Sequence, residues 1–390
     1  MPDAYIVAAV RTAGGRRGGK LSGWHPAEMA GRVLDELVAR AKIDPALIED
    51  VIMGCVGQAG EQSFQIGRHA VLASHLPESV PAVSIDRQCG SSQQSVQFAA
   101  QAVMSGTQDI VIAAGVESMT RVPMFLPTSL AQQHGFGSPF AEAIKERYHV
   151  QEFSQFEGAE MIAQKYGFER TTLDAFALTS HQKAAAATDA GAFAAEILPL
   201  EIDDGQGGKA LHARDEGIRR DATLESIGSV KLLREGGRIS AANASQICDG
   251  ASGVMVASAA AVKRHGLTPL ARIVNVTVTA GDPVIMLEEP IRATRTALAR
   301  AGMSIGDIDL YEVNEAFAPV PLAWLQAIDA DPSRLNVNGG AIALGHPLGA
   351  SGTKLMTTLL YALKTRGKKL GLQTMCEGGG QANVTILEAA

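Results

Sequence analysis

Arg40-Ala41-Lys42-Ile43, then after a short gap Ile48-Glu49-Asp50-Val51, has a counterpart 260 positions later: Arg300-Ala301-Gly302-Met303, then Ile308-Asp309-Leu310-Tyr311. Each copy follows an amphipathic helical pattern, Met29, Val33, Leu34 and Leu37 in one, Ile291, Leu298 and neighbouring alanines in the other. Each runs on into a strand-like stretch, Val51-Ile52-Met53 or Tyr311-Glu312-Val313. Similarities this short also arise by coincidence, so the flanks decide.

Working outward, the parallel continues. Ser91 to Gly106 reads as a helix of small residues leading to the apolar strand Ile110–Ala114, and Ala350 to Lys364 as a helix leading to Leu370–Thr374. In the second copy a Gly378–Gly380 turn passes directly into a strand at Asn383–Leu387; in the first, the matching strand Gly253–Ala257 is delayed. The stretch from Ser118 to Asp249 is therefore read as an insertion. Strands alternating with helices predict an α/β protein with buried sheets. The expected organisation is an N-terminal half over 1–118 plus 249–268, an inserted domain over 119–248, and a C-terminal half over 269–390. An irregular insert on a rigid scaffold suits ligand binding and subunit contacts.

The composition fits this reading. A chain of 390 residues that is 46% hydrophobic and 19% charged can build a large core. A formal net charge of −7 argues against nucleic acid as partner but leaves room for an anionic ligand at local arginines and helix N-termini. Cys55, Cys89, Cys248 and Cys376 are too scattered for a zinc site or a disulfide framework. The chain enters a strand at Ala4–Val10 without a signal-like prelude, has no apolar run of membrane-spanning length, and ends in no targeting motif. The expectation is a soluble, cytoplasmic protein with no membrane partner and no metal.

Four segments carry chemistry. Cys89, in Asp86-Arg87-Gln88-Cys89-Gly90-Ser91, stands where a strand gives way to a helix, and the positive end of the helix dipole favours a thiolate there. A pKa lowered to about 7 would raise the reactive fraction roughly tenfold. A lone cysteine is equally readable as an inert buried one. Asn338 to Gly352 has five glycines around His346, at the corresponding sheet-to-helix edge of the second half, where an imidazole of near-neutral pKa could serve Cys89 as a base. Cys376 ends a strand before Gly378-Gly379-Gly380, whose backbone could form an oxyanion hole or a plain hairpin turn. Asn314 and Glu315 follow a buried strand, as helix caps or as site residues.

Taken together, and in this order, the Cys89 segment, Asn314-Glu315-Ala316-Phe317, Gly345-His346-Pro347-Leu348-Gly349 and Cys376-Glu377-Gly378-Gly379-Gly380 resemble the thiolase family over essentially the whole chain. The resemblance implies two βαβαβαββ halves in five αβαβα layers with an inserted loop domain. It implies reversible thiolysis of 3-ketoacyl-CoA through an acyl-Cys89 intermediate. His346 would activate Cys89 and help bind the thioester oxygen, Cys376 would act as acid and base at the α-carbon, and Asn314 would hold a water. The N–H groups of Cys89 and Gly378 would hold the acyl-enzyme oxyanion. Coenzyme A and acyl-CoA enter as substrates, with no tightly bound cofactor, and Arg219, Ser226, Ala241, Ser245 and Phe317 would line their path. A homodimer or homotetramer is implied, with residues near 119–145 bridging dimers.

Two departures bear on specificity. Ser154-Gln155-Phe156 stands where short-chain biosynthetic members often carry His-Met-Gly, and the second-cysteine run has Glu377 and Gln381 where an apolar residue and Met are common. They favour a degradative 3-ketoacyl-CoA thiolase over a short-chain acetoacetyl-CoA enzyme (acetyl-CoA C-acetyltransferase). The related decarboxylating condensing enzymes are disfavoured by Cys376, and a catalytically silent acyl-CoA or lipid binder by retention of both cysteines and the histidine.

Overall fold

The computed structural model describes residues 3–390. The first half comprises β1 (Ala4–Thr12), the short β2 (Gly15–Arg16), α1 (Pro26–Ala41), β3 (Asp50–Gly54), α2 (Ile66–Leu72), β4 (Ala82–Ile85), α3 (Ser91–Ser105) and β5 (Ile110–Ser118). Then come α4 (Leu126–Gln133), α5 (Glu142–Tyr148), α6 (Gln155–Lys165), α7 (Arg170–Asp189), β6 (Ile197–Leu198), β7 (Leu200–Asp203), β8 (Lys209–His212) and α8 (Leu224–Gly228). The first half resumes with β9 (Cys248–Ser258) and α9 (Ala259–His265). The second half comprises β10 (Ala271–Ala280), α10 (Glu289–Ala301), β11 (Leu310–Val313), α11 (Pro319–Ile328), α12 (Ala341–Leu344), α13 (Ser351–Thr365), β12 (Leu370–Glu377) and β13 (Gln381–Ala389).

The repeated stretch is a helix end, a left-handed cap and a 3₁₀ turn into a strand. α1 stops at Lys42 (φ 54°) and α10 at Gly302 (φ 65°), each followed by a turn capped by Asp44 or Ser304. In the first half the strand order is β4-β3-β5-β9-β1, with β3 parallel to β4 and β5 and the other neighbours antiparallel. β11-β12-β13-β10 repeats that order with the same orientations. Only the counterpart of β4 is missing: it shrinks to a single parallel bridge from Tyr311 to Leu335. The two half-sheets join along β1 and β10 through Tyr5↔Arg272 and Ile6↔Ala271.

Alternation along the strands builds the layers. Ile110, Ile112 and Ala114 of β5 pack in a core with α1 and α2, whereas Val111 and Ala113 face a second core with Val96, Ala99 and Val103 of α3 and Met356, Leu359 and Leu363 of α13. That second core is closed from the other side by Leu310, Ile273 and Leu387 of the second half-sheet. The other face of that half-sheet, through Val313, Leu372 and Ile386, packs on α10 and α11. Five layers result: α1 and α2, a sheet, α3 with α13, a sheet, α10 with α11.

The middle layer explains its small residues. A Cβ on Gly352 would collide with the backbone nitrogen of Gln93, so α13 and α3 touch backbone to backbone at their N-terminal ends. Ser92 Oγ accepts from Thr353 N at 3.0 Å across the same contact. This is what brings the two sheet-to-helix edges together. Among the described residues, no helix is long and apolar enough to cross a membrane.

Candidate active site

The turn carrying Cys89 is tightly wired. Asp86 Oδ1 accepts from Gln88 N at 2.7 Å, Gln88 takes a left-handed conformation (φ 49°), and Ser91 Oγ accepts from Arg87 N at 2.9 Å while donating to Gln88 O at 2.6 Å. Gly90 caps α3, placing Cys89 at the helix start with only 8% exposure. A left-handed non-glycine residue beside a functional side chain is strain that the surrounding bonds must hold.

Cys376 is the last residue but one of β12, fully buried, and is close enough to Cys89 for a charge on the Cys89 sulfur to raise the pKa of Cys376. The turn after it, with Gly379 (φ 81°) and Gly380 (φ 74°), lies against the Cys89 turn: a Cβ on Gly378 would stand 2.9 Å from Gln88 Cγ. Gly378 and Cys89 thus belong to two backbone segments in contact.

His346 sits in the loop between α12 and α13, its ring held at both nitrogens. Asn314 Nδ2 lies 3.3 Å from Nε2, and Ser351 Oγ lies 2.5 Å from Nδ1. The loop is anchored by His346 N to Gln246 O (3.0 Å), by Gly349 N to the buried Glu117 carboxylate (2.8 Å), and by Lys354 Nζ donating to Leu344 O at 2.5 Å and Gly345 O at 3.2 Å. Glu117 also accepts from Val56 N, Gly57 N and Gln62 Nε2, tying the first-half loops to the histidine loop. His346 does not occupy the position of Cys89 in the repeat. It lies five residues ahead of α13, against two for Cys89 ahead of α3, because a 3₁₀ turn over Leu348–Ala350 stands between His346 and its helix.

Two electrostatic expectations are corrected. The Cys89 thiol is pushed up to about 12, first by burial and then by the Glu377 carboxylate; burial at this site outweighs the helix dipole. His346 is pushed down to about 3 by burial and by the Lys354 ammonium, so it stands as a neutral imidazole rather than one poised near neutrality.

The adjacent Asn314 and Glu315 divide. Asn314 reaches His346 and leaves Oδ1 without a partner among the described residues. Glu315 instead accepts from Ser180 Oγ (2.6 Å), Asn336 Nδ2 (2.9 Å) and Ile342 N (3.1 Å), stapling α7 to α12. Ser351, Glu117, Lys354 and Gln246 gave no sequence signal as site residues; Glu117 and Gln246 act by bonding backbone distant in the chain, Ser351 and Lys354 by bonding the histidine loop itself.

Further out, a cavity of about 180 Å³ is lined by Arg219, Ser226 and Ala241 together with His181, Asp221 and Gln246. Arg219 is exposed and makes no ion pair among the described residues, so its guanidinium is available to an anion. Ser226 fits less simply: its hydroxyl accepts from Thr223 N (2.9 Å) and donates to Thr223 O (3.0 Å) as the start of α8, so its side chain is already engaged in a cap. Ser245 N donates to Ala316 O at 2.9 Å, and Ala244 bridges Phe317, which packs edge-on to Phe156 at 5.6 Å. The Ala244–Ser245 segment is thus paired with Ala316–Phe317, next in the chain to the cavity residue Gln246 on one side and to Asn314 and Glu315 on the other.

The chain matches the family models "Thiolase, N-terminal domain" over residues 4–260 and "Thiolase, C-terminal domain" over 267–389. It is 51% identical to a steroid 3-ketoacyl-CoA thiolase of Mycobacterium tuberculosis, covering all of this chain and 94% of that one. It is 40% identical to an acetyl-CoA acetyltransferase of Cupriavidus necator, with both chains fully covered. Among solved structures, human mitochondrial 3-ketoacyl-CoA thiolase superposes with a TM-score of 0.90 at 37% identity, covering 100% of this chain and 99% of that one. The Bacillus anthracis acetyl-CoA acetyltransferase does so with a TM-score of 0.91 at 34% identity and the same coverage.

Proposed function

The chain belongs to the thiolase family, and on that premise we propose how its residues divide the reaction. It is an acyltransferase that thiolyses 3-ketoacyl-CoA to acetyl-CoA and a shortened acyl-CoA. Cleaving the C2–C3 bond requires a nucleophile at the ketone carbon and a place for the released electron pair. In our reading Cys89 sulfur bonds to C3, the C2–C3 pair becomes the enolate of the acetyl thioester, and Cys376 delivers a proton to C2. The enolate oxygen is met by His346 and by a water on Asn314. A second CoA thiol then loses its proton to Cys376, attacks the acyl-Cys89 carbonyl, and expels the Cys89 thiolate. The oxyanion formed on the way points at the N–H groups of Cys89 and Gly378, each donor being worth about 2.7–4 kcal/mol.

The pKa values constrain the first step. Burial holds Cys89 toward its thiol form and His346 toward its neutral imidazole form, so transferring the proton between them in the empty site is uphill. A resting thiolate–imidazolium pair is therefore disfavoured; the Cys89 proton passes to His346 Nε2 as the C–S bond forms, is donated from there toward the enolate oxygen, and returns to Cys89 when its thiolate is expelled.

Arg219, Ser226, Ala241, Ser245 and Phe317 are assigned to CoA, with residues 119–248 as the unit that binds it between halves over 1–118 plus 249–268 and 269–390. The support is the cavity shared by the first three and the pairing of Ala244–Ser245 with Ala316–Phe317. We assign acyl groups bulkier than acetoacetyl. Phe156 stands in place of the short-chain motif, packs edge-on against Phe317 and lines a second cavity of about 260 Å³ with Leu233 and Ile239. The relative from Mycobacterium tuberculosis is named for steroid 3-ketoacyl-CoA. A cytoplasmic homo-oligomer is part of the same proposal: the outer edge of β4 is unpaired among the described residues, with Val83 exposed and Phe64 87% exposed nearby.

The observation that carries the reading is the contact of the two N-terminal helix ends, Gly352 on Gln93, which joins the Cys89 and His346 edges. Intact-protein mass after mixing with acetyl-CoA tests it: one added acetyl group is expected, lost in Cys89→Ala. CoA-dependent thiolysis across linear and alicyclic 3-ketoacyl-CoA tests the specificity, and a marked preference for acetoacetyl-CoA would overturn it.

A further inference from the structure

Glu377, beside the second cysteine, has no part in the steps above. It is the last residue of β12 and is fully buried. Strand alternation turns it away from Cys376, which packs in the outer core, and toward the middle layer. There its carboxyl lies against Gly90: a Cβ on Gly90 would overlap both Glu377 Oε1 and Asn383 Oδ1. The glutamate thus lies directly beneath the residue bonded to the nucleophile.

The surrounding hydrogen bonds have a fixed polarity. Gln97 Nε2 donates to Val384 O at 3.0 Å and Thr277 O at 3.4 Å, which leaves Gln97 Oε1 as the acceptor of Asn383 Nδ2 at 2.9 Å. The same Nδ2 also donates to Gln94 Oε1 at 3.1 Å. The Asn383 amide therefore cannot be turned over, and Oδ1 faces Gly90 and Glu377. Neither Asn383 Oδ1 nor either Glu377 oxygen has a hydrogen-bond partner among the described residues.

Three buried acceptors converge without a donor. A carboxylate there would oppose an amide oxygen and, whenever it forms, the Cys89 thiolate; a protonated carboxyl supplies the missing hydrogen. Burial pushes Glu377 well above the usual carboxylate range, against the opposing pull of Arg87 and the Asn383 backbone N–H. The other groups around the turn are Asp86 and Cys89 before α3, Cys376 on β12 and Glu117 on β5, none of them cationic. Arg87 is the cation whose charge reaches Glu377; its Nη1 donates to Gln381 Oε1 at 2.6 Å and its Nε has no partner among the described residues, but it makes no hydrogen bond to either Glu377 oxygen.

We propose that Glu377 is a positioning residue of the thiolase reaction, a neutral acid that donates to Asn383 Oδ1, fixes the Cys89–Gly90 turn and keeps negative charge from beneath the nucleophile. It rests on the reading of Cys89 as nucleophile.

Two measurements on the full-length enzyme test it, neither requiring turnover. The infrared difference between wild type and Glu377→Gln at neutral pH should contain the C=O stretch of one protonated carboxyl, sensitive to D₂O; its absence overturns the proposal. The Cys89 alkylation rate by iodoacetamide, as a ratio of Glu377→Gln to wild type, should grow about tenfold from neutral to alkaline pH as the wild-type acid ionises. A ratio constant with pH overturns the charge-setting role. Should the glutamine variant not fold, Asn383→Ser should shift the same infrared band by removing its acceptor, and an unmoved band counts against the pairing. Loss of thiolysis with both readouts intact would sink the assigned reaction instead.

Discussion

His346 Nδ1 and Ser351 Oγ are 2.5 Å apart, and Ser351 Oγ in turn donates to Pro347 O at 2.8 Å. With its one hydrogen on a carbonyl, the serine must accept from the ring, so Nδ1 carries the proton and Nε2 presents its lone pair toward Asn314 and the reaction space. Substituting Ser351→Ala removes the group that selects this tautomer. A fall in kcat of about 10- to 100-fold is expected, with KM for CoA nearly unchanged. Ring ¹⁵N NMR should show mixed tautomers, whereas an unchanged nitrogen spectrum would show the serine to be dispensable.

Because His346 is buried and neutral, it makes folding pH-dependent. The unfolded chain binds a proton there below about 6.5, while the native state does so only near 3. Its contribution is thus full above the unfolded value and is lost as pH falls through that window, at about 1.4 kcal/mol per pH unit. The buried glutamates with raised values, Glu117, Glu315 and Glu377, have the opposite slope, so total stability does not isolate the effect. The difference between His346→Asn and wild type does. Urea unfolding should find the variant gaining relative stability as pH drops from 6.5 toward 4, and a pH-independent difference would contradict a neutral imidazole.

The fold was legible wherever a local rule repeats. The helix end, cap and turn at 40–51 and 300–311 are the same solution written twice, and the alternating strands carry the layers. Cys89, Cys376 and Asn314 were legible as polar or reactive residues near strand ends, and His346 as the imidazole of a glycine-rich loop, which the structure places between α12 and α13 rather than at a sheet edge. Their ionisation was not, because a helix dipole can be read from neighbouring residues but burial depends on chain from the other half. Glu117 was hidden for the same reason, since it reads as a strand end yet binds Gly349 N in the other half; Lys354 reads as a helix lysine, and only the folded loop turns Leu344 O and Gly345 O back onto it.

Arg219 is the exposed, unpaired cation at the mouth of the cavity shared with Ser226 and Ala241. Its substitution by Ala should raise KM for CoA about tenfold with little change in kcat, because a phosphate contact remote from the reacting atoms binds ground state and transition state alike. The increase should shrink as salt rises. Dephospho-CoA and pantetheine analogues compared in both proteins would show which phosphate is lost.

Lys354 is buried between two charges and two carbonyls. Its Nζ donates to Leu344 O and Gly345 O and lies 4.0 Å from Asp215 Oδ1, which also accepts from Arg11 and Gly14 N. Lys354→Met would free the backbone leading into His346 and remove the cation that helps hold its pKa down. Activity should fall at least tenfold, and the ring proton shifts of His346 should titrate at higher pH than in wild type. An unmoved titration would leave Lys354 a purely structural clamp.

Gly90 leaves no room for a side chain. A Cβ there would overlap Glu377 Oε1 and Asn383 Oδ1, so Gly90→Ala must displace the carboxyl or the turn that carries Cys89. Overpacking of this kind costs about 1–3 kcal/mol, and the shifted sulfur should lower acetyl transfer further. Truncating the obstacle separates the two effects. In Gly90→Ala/Glu377→Ala the tighter of the two overlaps is removed, leaving Asn383 room to yield, while the neutral acid is lost, so stability should recover part of the way toward wild type and acetylation of Cys89 should not. Equal recovery of both would reduce Glu377 to a steric neighbour of the nucleophile.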